Sequence, residues 1–347
     1  MRNYLLIISI TLILIREGHA QKMHVSAIAF YNFENLFDTL DDRKNWGDNE
    51  FLPGGVYNYT GDVYQQKLHN LASVISQLAT DVTPDGPAII GTAEIENEHV
   101  LADLVNQPAL KGRYRFIHFD SYDSRGIDVA MLYNPEYFKV LHAEALYVDI
   151  SKAGGVKGGK TRDVLYVKGI LAGDTIHVFV NHWPSRRGGT SASEPLRAIA
   201  ANVCKKAIDA LTYNAEAKII LMGDLNDDPT DKSVTTVLGA KGSSSKVLST
   251  HLYNPWVHYF KKGHGTLGHD DRWNLFDQII LSGSFLKKNG IDDKRWHYYK
   301  SEVFRKDYLL EKFGRYKGYP KRSFINNRWN NGYSDHLPVI VYLVKAP

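Results

Sequence analysis

The side chains of this sequence that could do chemistry are carboxylates, carboxamides and imidazoles, and they occur in short clusters. The main members, in chain order, are Asn32, Glu94, Asn181, His182, Asp224, Asn226, Asp277, Asp335 and His336. Carboxylates with coordination positions left for water suit a hard cation such as Mg²⁺, Mn²⁺ or Ca²⁺. Such a cation polarises a phosphoryl oxygen, while a carboxylate orients or deprotonates water and histidines neutralise the charge of the transition state. These residue types predict metal-assisted hydrolysis of a phosphoester.

The composition supports a globular protein whose metal site uses oxygen or imidazole ligands. Of the 347 residues, 44% are hydrophobic and 23% are charged, which excludes disorder, collagen and coiled coil. The single cysteine, Cys204, cannot form an internal disulfide or supply a thiolate cluster for zinc or iron and sulfur. The net charge of +4 favours anionic partners only weakly.

The N-terminal sequence predicts a secretory signal peptide. Arg2 precedes an apolar run over residues 4–15, and small residues at Gly18 and Ala20 suit cleavage after Ala20. The run is shorter than the roughly 20 apolar residues that span a bilayer, so no stable membrane anchor is expected, although an uncleaved anchor is the alternative. We therefore expect a signal peptide over 1–20, and one exported domain, periplasmic or secreted, over 21–347.

Short β-rich runs alternate with amphipathic stretches along the rest of the chain. Strands are predicted at 25–31, 88–92, 128–133, 164–171, 175–180, 219–222, 278–281 and 339–343. Helices are predicted over 62–78, with Asp62 as the N-cap, and over 193–211, with Pro195 in the first turn. No G-x-G-x-x-G follows the first strand. The pattern favours an α/β protein with sizeable mixed sheets.

Polar clusters recur where these strands end. The first two predicted strands lead to Asn32 and Glu94, and two later strands lead to His182 and Asp224. Any one cluster is compatible with a solvated turn. If the sheets pack face to face, however, all of the clusters converge on one rim.

The order of the clusters resembles the endonuclease/exonuclease/phosphatase superfamily, which includes deoxyribonuclease I, abasic-site endonucleases, inositol polyphosphate 5-phosphatases and bacterial neutral sphingomyelinases. The resemblance runs from segment 30–38, through Gly-Asp-Leu-Asn at 223–226, to Ser-Asp-His at 334–336. Motifs in the family's order are far more specific than any single match. The resemblance implies a deoxyribonuclease I-like α/β fold, a four-layer sandwich of two mixed β-sheets flanked by helices.

The resemblance also implies a metal site. Glu94 matches the family's principal metal ligand, and Asn32 matches an asparagine close to the metal. Asp335 is a candidate second ligand. Mg²⁺ is the expected cofactor, with Mn²⁺ or Ca²⁺ as alternatives.

The same resemblance assigns the catalytic residues. Asp224 matches the aspartate that orients and activates water, and Asn226 the asparagine that holds a phosphate oxygen or the metal. His182 and His336 match the histidines at the scissile phosphate. Asp277 matches the aspartate that pairs with His336, and such a pair fixes the imidazole tautomer and raises its basicity. Whether Asp224 or His336 is the general base stays open, and we favour Asp224 for the water and His336 for the phosphate.

Several residues near these motifs are candidates for substrate binding. Arg186 and Arg187 lie in a Gly-containing loop directly after His182, Asn181 precedes that histidine, and Arg125 and Arg162 fall near other motifs. Arginine suits bidentate phosphate contacts, and a solvated basic loop is the alternative. The segment 285–330 carries thirteen Lys and Arg against five Asp and Glu, interleaved with aromatic residues. It could track nucleic acid or be an amphipathic helix and loop.

These observations predict a metal-dependent nuclease that hydrolyses phosphodiester bonds in nucleic acid and acts as a monomer. The same core would serve a phosphatase or a phospholipase C-like enzyme acting on inositol phosphates or sphingomyelin. A catalytically silent binding protein on this fold is the alternative from another class. No protein partner is implied.

Overall fold

The computed structural model describes residues 23–43, 45, 47–151, 153, 159–269, 271–286 and 294–347. The expected signal peptide therefore lies outside the described residues. Among the described residues, no helix has both the length and the apolar character needed to cross a bilayer.

Strands dominate the described chain. In chain order they are β1 (His24–Leu36), β2 (Ile89–Ile95), β3 (Arg115–His118), β4 (Asp128–Tyr133), β5 (Phe138–Leu146), β6 (Val164–Leu171), β7 (Asp174–His182), β8 (Lys218–Asp224), β9 (Ala240–Lys241), β10 (Leu252–Tyr253), β11 (Leu267–His269), β12 (Arg272–Asn274), β13 (Asp277–Ser282), β14 (His297–Val303), β15 (Phe324–Ile325), β16 (Arg328–Trp329) and β17 (Val339–Lys345). The α-helices are α1 (Gly61–Ile75), α2 (Glu98–Val105), α3 (Thr190–Leu211) and α4 (Trp256–Lys261). Shorter helical turns are Asp48–Phe51, Pro108–Leu110, Ser233–Val237, Ser244–Lys246, Gly283–Phe285 and Asp307–Leu309.

Two mixed sheets contain most of these strands. The first has the order β14-β17-β1-β2-β4-β3, and the second has the order β5-β6-β7-β8-β13-β10-β9. The pairs β1–β2, β7–β8 and β9–β10 are parallel, and the other neighbours in these sheets are antiparallel. Two small hairpins, β11–β12 and β15–β16, complete the strand pairing.

The sheets face each other across an apolar layer, and helices cover their outer faces. Phe30 from the first sheet and Met222 from the second belong to the inner core. Leu68 of α1 packs in the outer core of the first sheet, and Cys204 of α3 packs in that of the second. The sheets approach closely, since a Cβ on Gly91 would lie 2.4 Å from Met222 Sδ. The predicted four-layer fold is confirmed.

Element boundaries depart from the predictions in ways that local chemistry explains. Helix α1 begins at Gly61 because Thr60 is its N-cap, with Oγ1 accepting from Val63 N at 3.5 Å. Asp62, predicted as the cap, lies in the first turn, where its negative charge interacts favourably with the helix dipole. Helix α3 starts at Thr190, so Pro195 lies in the second turn rather than in the first.

Candidate active site

The polar clusters meet at one rim, across the cleft between the two sheets. The parallel pairs β1–β2 and β7–β8 end at this rim, and the antiparallel strands β13 and β17 begin there. Asn32 Nδ2, at the register shift in the C-terminal part of β1, donates to Asp224 Oδ2 at the end of β8, at 3.1 Å. This bond joins the first sheet to the second at the centre of the site.

His336 and Asp277 form a tight buried pair. His336 Nδ1 lies 2.7 Å from Asp277 Oδ2, and Ser334 Oγ accepts from the His336 backbone N–H at 3.0 Å. Burial opposes the charged imidazole, but Asp277 and Asp224 outweigh burial and raise the pKa of His336 well above its usual value. With Nδ1 held by Asp277, Nε2 of a positively charged ring faces the centre of the site.

Asp224 lies between the two histidines. Its Oδ2 is 3.7 Å from His182 Nε2 and 3.8 Å from His336 Nε2. Its Oδ1 accepts from the backbone N–H of Asn226 at 2.9 Å. Burial raises the pKa of Asp224 to about 7, with His336 opposing the rise and Asp277 adding to it. A carboxylate whose pKa lies near neutrality suits a general base.

His182 has the opposite electrostatic environment. Burial, reinforced by the charges of Arg162, Arg125 and His336, holds the pKa of His182 well below its usual value. Its Nε2 faces Glu94 Oε1 at 3.8 Å as well as Asp224. Because two carboxylates face Nε2, the neutral ring is best stabilised with its proton on that nitrogen. His182 can therefore donate a neutral hydrogen bond into the site.

Arg162 fixes the position of His182 rather than facing the cleft. This buried guanidinium donates from Nε to the His182 carbonyl at 3.2 Å and from Nη2 to the Trp183 carbonyl at 2.7 Å. Its Nη1 donates to Asp123 Oδ2 at 2.8 Å. The structure thus gives Arg162 a positioning arrangement, where the sequence suggested a substrate contact.

Glu94 is held in a strained backbone conformation. Its φ of 64° is uncommon for a residue other than glycine and costs about 1–3 kcal/mol. A register shift in β2 at this point turns the side chain toward the cleft. Its Oε2 accepts from the backbone N–H of Asn35 at 2.9 Å, and its Oε1 lies 3.8 Å from Arg125 Nη2. Since 3.8 Å exceeds hydrogen-bond distance, the contact with Arg125 leaves Glu94 Oε1 available to coordinate a cation.

Asn32 orients its neighbours. Besides the bond to Asp224, its Oδ1 accepts from the backbone N–H of Glu34 at 2.9 Å. Both ends of this buried amide are therefore engaged. Its geometry fits an anchor for Asp224 better than a primary metal ligand.

Asp335 belongs to a charged network that the sequence did not reveal. Arg322 Nη2 donates to Asp335 Oδ2 at 2.6 Å, and its Nε lies 3.6 Å from Glu34 Oε1. Lys67 of α1, fully buried, donates from Nζ to the Glu34 carbonyl at 2.7 Å and to Ser323 Oγ at 2.6 Å. The only sequence signal was a lysine on the apolar stripe of α1.

The donor chemistry of this rim fits a hard divalent cation. Glu94, Glu34 and Asp335 supply carboxylate oxygens, the ligand type that Mg²⁺ and Mn²⁺ prefer. Asp224, Asp277 and His336 also bring three ligand-type atoms within 4.8 Å of one another. The short Asp277–His336 bond already uses one atom of each of those residues, and Arg322 likewise occupies Oδ2 of Asp335. The candidate ligand atoms at Glu94 and Asp335 are therefore Glu94 Oε1 and Asp335 Oδ1.

Asn226 and Gly223 shape the turn that presents Asp224. Asn226 has a left-handed backbone with φ of 49°, and its Nδ2 donates to the Trp183 carbonyl at 2.9 Å. A Cβ on Gly223 would lie 2.2 Å from the Asn181 carbonyl oxygen, so only glycine fits beside β7. In this state Asn226 locks the turn to the neighbouring loop.

Other predicted substrate-binding residues divide into internal and exposed groups. Asn181 is fully buried and donates to the Met222 carbonyl at 3.1 Å, so it joins strands. Arg186 lies among acidic side chains, the nearest being Asp231 at 2.7 Å, and its guanidinium packs 4.4 Å from the ring centroid of Phe276. Arg187 is exposed. Arg125 is half-exposed beside Glu94.

The basic and aromatic segment 285–330 contains both buried and exposed aromatic residues. Phe285 and Trp296 are buried in the core, whereas Tyr299 and Phe313 are exposed. Its described residues contain an edge strand, β14, and no α-helix. The described aromatic residues of this segment therefore lie partly in the core, and a nucleic-acid contact by its exposed residues stays a prediction.

A separate group of potential metal ligands consists of His118 at the end of β3, Asp120 in the β3–β4 loop and Asp128 at the start of β4. His118 Nε2 lies 3.1 Å from Asp128 Oδ2, and Asp128 Oδ1 accepts from the Ser121 backbone N–H at 2.9 Å. Asp120 is exposed and 3.9 Å from His118 Nδ1. These bonds tie the β3–β4 loop to β4.

Together the fold and this site define a metal-dependent phosphoester hydrolase. Residues 27–345 match the model of the Endonuclease/Exonuclease/phosphatase family, and the chain belongs to this family. Comparison with curated proteins gives no match.

Solved structures share the fold at low sequence identity. A mannosyl-6-phosphatase of Bacteroides thetaiotaomicron is 17% identical with a TM-score of 0.54, over 92% of this chain and 99% of that one. A family protein of unstated activity from the same organism is 16% identical with a TM-score of 0.54, over 94% and 97%. TDP2 of D. rerio, in complex with a single-strand DNA product, is 13% identical with a TM-score of 0.51, over 92% and 98%. At these identities the likeness shows the fold alone.

Proposed function

We propose that this protein is a divalent-metal-dependent nuclease that hydrolyses phosphodiester bonds in nucleic acid after export. The observation that carries the proposal is a pair of half-exposed arginines beside the buried centre. Arg125 lies next to Glu94 with 44% of its side chain exposed, and Arg322 lies next to Asp335 with 43% exposed. They come from different loops, so they offer cations at two separate points of the rim. A substrate with phosphates beyond the scissile one would use both.

The residues around the scissile bond have distinct roles in this proposal. Asp224 orients the attacking water and accepts its proton, because its pKa of about 7 lets it act near neutrality. His336, kept positive by Asp277, faces the charge that builds on the phosphoryl group. His182 donates a neutral hydrogen bond to a phosphate oxygen. Glu94 and Asp335 would hold the divalent cation, which would further neutralise phosphoryl charge.

The test compares the mature protein with Asp224→Ala on supercoiled plasmid DNA, a single-stranded oligonucleotide and RNA, each with Mg²⁺ and with EDTA. General-base loss is expected to lower the rate by about 10²- to 10⁴-fold, and EDTA should abolish cleavage. Asp209→Ala, which changes an exposed carboxylate on α3, is the matched control and should cleave normally. Near-normal cleavage by Asp224→Ala, or indifference to EDTA, would contradict the proposal.

A sugar phosphatase is the second candidate, and a cavity beside the site favours it. This cavity, of about 260 Å³, is lined by residues that include Arg315, Tyr316, Tyr319, Arg322 and Asp335. Aromatic walls with cationic groups suit a small phosphorylated ring, and one protein of similar fold is a mannosyl-6-phosphatase. Phosphate release from mannose 6-phosphate or an inositol phosphate, without plasmid cleavage, would favour this candidate. Inactivity on these substrates and on sphingomyelin would favour a binding protein.

A further inference from the structure

Two exposed tyrosines from different sheets meet at the same rim. Tyr122 lies in the β3–β4 loop of the first sheet, and Tyr147 follows β5 of the second. They are 61% and 57% exposed, and their ring centroids lie 6.0 Å apart at an interplanar angle of 88°. Lys160 Nζ lies 5.9 Å from the Tyr122 ring centroid. The edge-to-face contact leaves ring surface open to solvent, with a cation beside it.

The β3–β4 loop is tied to the catalytic centre immediately next to Tyr122. Asp123 accepts from Arg162 at 2.8 Å, and Arg162 donates onward to the His182 carbonyl. On the other side of Tyr122, the Ser121 backbone N–H donates to buried Asp128. Because both flanking residues are held, the backbone of Tyr122 is anchored relative to His182.

We propose that Tyr122 and Tyr147 form a stacking site for unpaired bases of a nucleic acid strand that passes through the active site. The inference rests on the proposed nuclease function and deepens it by naming a single-stranded substrate. Every base has a π-face, so tyrosine binds bases without sequence preference, and Lys160 and Arg125 are placed to contact backbone phosphates. Bases inside a duplex are already stacked, so the site favours strands whose bases are free.

The test measures binding on the Asp224→Ala background, where cleavage does not interfere. Fluorescence anisotropy follows a labelled oligothymidylate of about 12 nucleotides, the same backbone with abasic sites, and a duplex. Tyr122→Ala and Tyr147→Ala should each raise the Kd for oligothymidylate about 5- to 150-fold. Tyr122→Phe keeps the ring and should stay within about twofold. Tyr213→Ala removes a still more exposed ring after α3, 90% exposed, and should leave the Kd unchanged.

The outcomes separate this inference from the nuclease proposal. Equal binding of the abasic and base-carrying strands, or an unchanged Kd in both alanine variants, would overturn the stacking site even if plasmid cleavage is observed. Failure of the wild-type protein to cleave nucleic acid would overturn the nuclease proposal. Loss of activity of Tyr122→Ala on a small chromogenic phosphodiester would show damage to the centre rather than loss of stacking, and would also count against the inference.

Discussion

Replacing Asp277 by asparagine tests whether this carboxylate acts through His336. Asp277 is fully buried, and its Oδ2 lies 2.7 Å from His336 Nδ1. The substitution keeps the size of the side chain and removes its negative charge. Without that charge, burial opposes the imidazolium more effectively and the pKa of His336 falls, although Asp224 and Asp335 still raise it. The positive charge with which His336 faces the phosphoryl group is therefore less well stabilised.

The expected loss follows from the strength of this bond. A hydrogen bond to a charged group contributes about 1.5–3 kcal/mol. If that free energy is lost in the transition state, kcat falls by about 10- to 150-fold, since 1.36 kcal/mol corresponds to a factor of about ten. The KM should change by less than about threefold, because Asp277 is fully buried and cannot touch substrate directly.

The assay uses a small chromogenic phosphodiester with Mg²⁺, so that distant substrate contacts do not contribute. Asp128→Asn is the matched control, since it alters a buried Asp–His hydrogen bond away from Asp224, at 3.1 Å from His118. It should lower the melting temperature and leave kcat on this substrate within about twofold. A kcat of Asp277→Asn within about threefold of wild type, or an equal loss in Asp128→Asn, would refute the reasoning.

Three further substitutions separate internal from catalytic roles. Arg186→Ala should destabilise the fold by about 1–3 kcal/mol with KM nearly unchanged, because its guanidinium contacts acidic groups. A large rise in KM in steady-state kinetics would instead support the phosphate contact suggested by its position after His182. Glu94→Gln should weaken Mg²⁺ binding, measured by calorimetry, and an unchanged affinity would move the metal elsewhere. Lys67→Met should lower the melting temperature, since it removes the donor to the Glu34 carbonyl and Ser323; an unchanged melting temperature would show that the buried ammonium contributes no net stability.

The convergence of the site could be predicted because strand ends are readable in the sequence. The runs at 128–133 and 164–171 coincide with β4 and β6 at both ends, since both are rich in the apolar and aromatic residues that favour strands. Strand β5, an edge strand, was missed because its exposed positions mix apolar Leu141 with polar residues, and a register shift between Val140 and His142 breaks the alternation. The parallel pairing of β1 with β2 and β7 with β8 then brings Asn32, Glu94, His182 and Asp224 to one edge, as the motif order implied.

The destinations of the arginines could not be predicted, because they depend on loops far apart in sequence. Arg162 bonds a carbonyl 20 residues away, and Arg186 reaches an aspartate 45 residues away. A pattern of arginine and glycine after a histidine is the same whether the guanidinium faces solvent or an internal carboxylate. For the same reason Arg322 was not singled out, although it is the cation in contact with Asp335.

The two histidines show how environment, rather than residue type, assigns catalytic roles. His336 faces carboxylates and has its pKa raised, whereas His182 is surrounded by arginines and by His336 itself and has its pKa lowered. Titratable groups whose pKa values are driven apart can perform opposite tasks at the same pH. At neutral pH one ring therefore supplies charge and the other a neutral hydrogen bond, and Asp224 between them has the pKa closest to neutrality. In the proposed mechanism Asp224 therefore accepts the proton of the attacking water, while His336 carries the positive charge and His182 presents N–H to the centre.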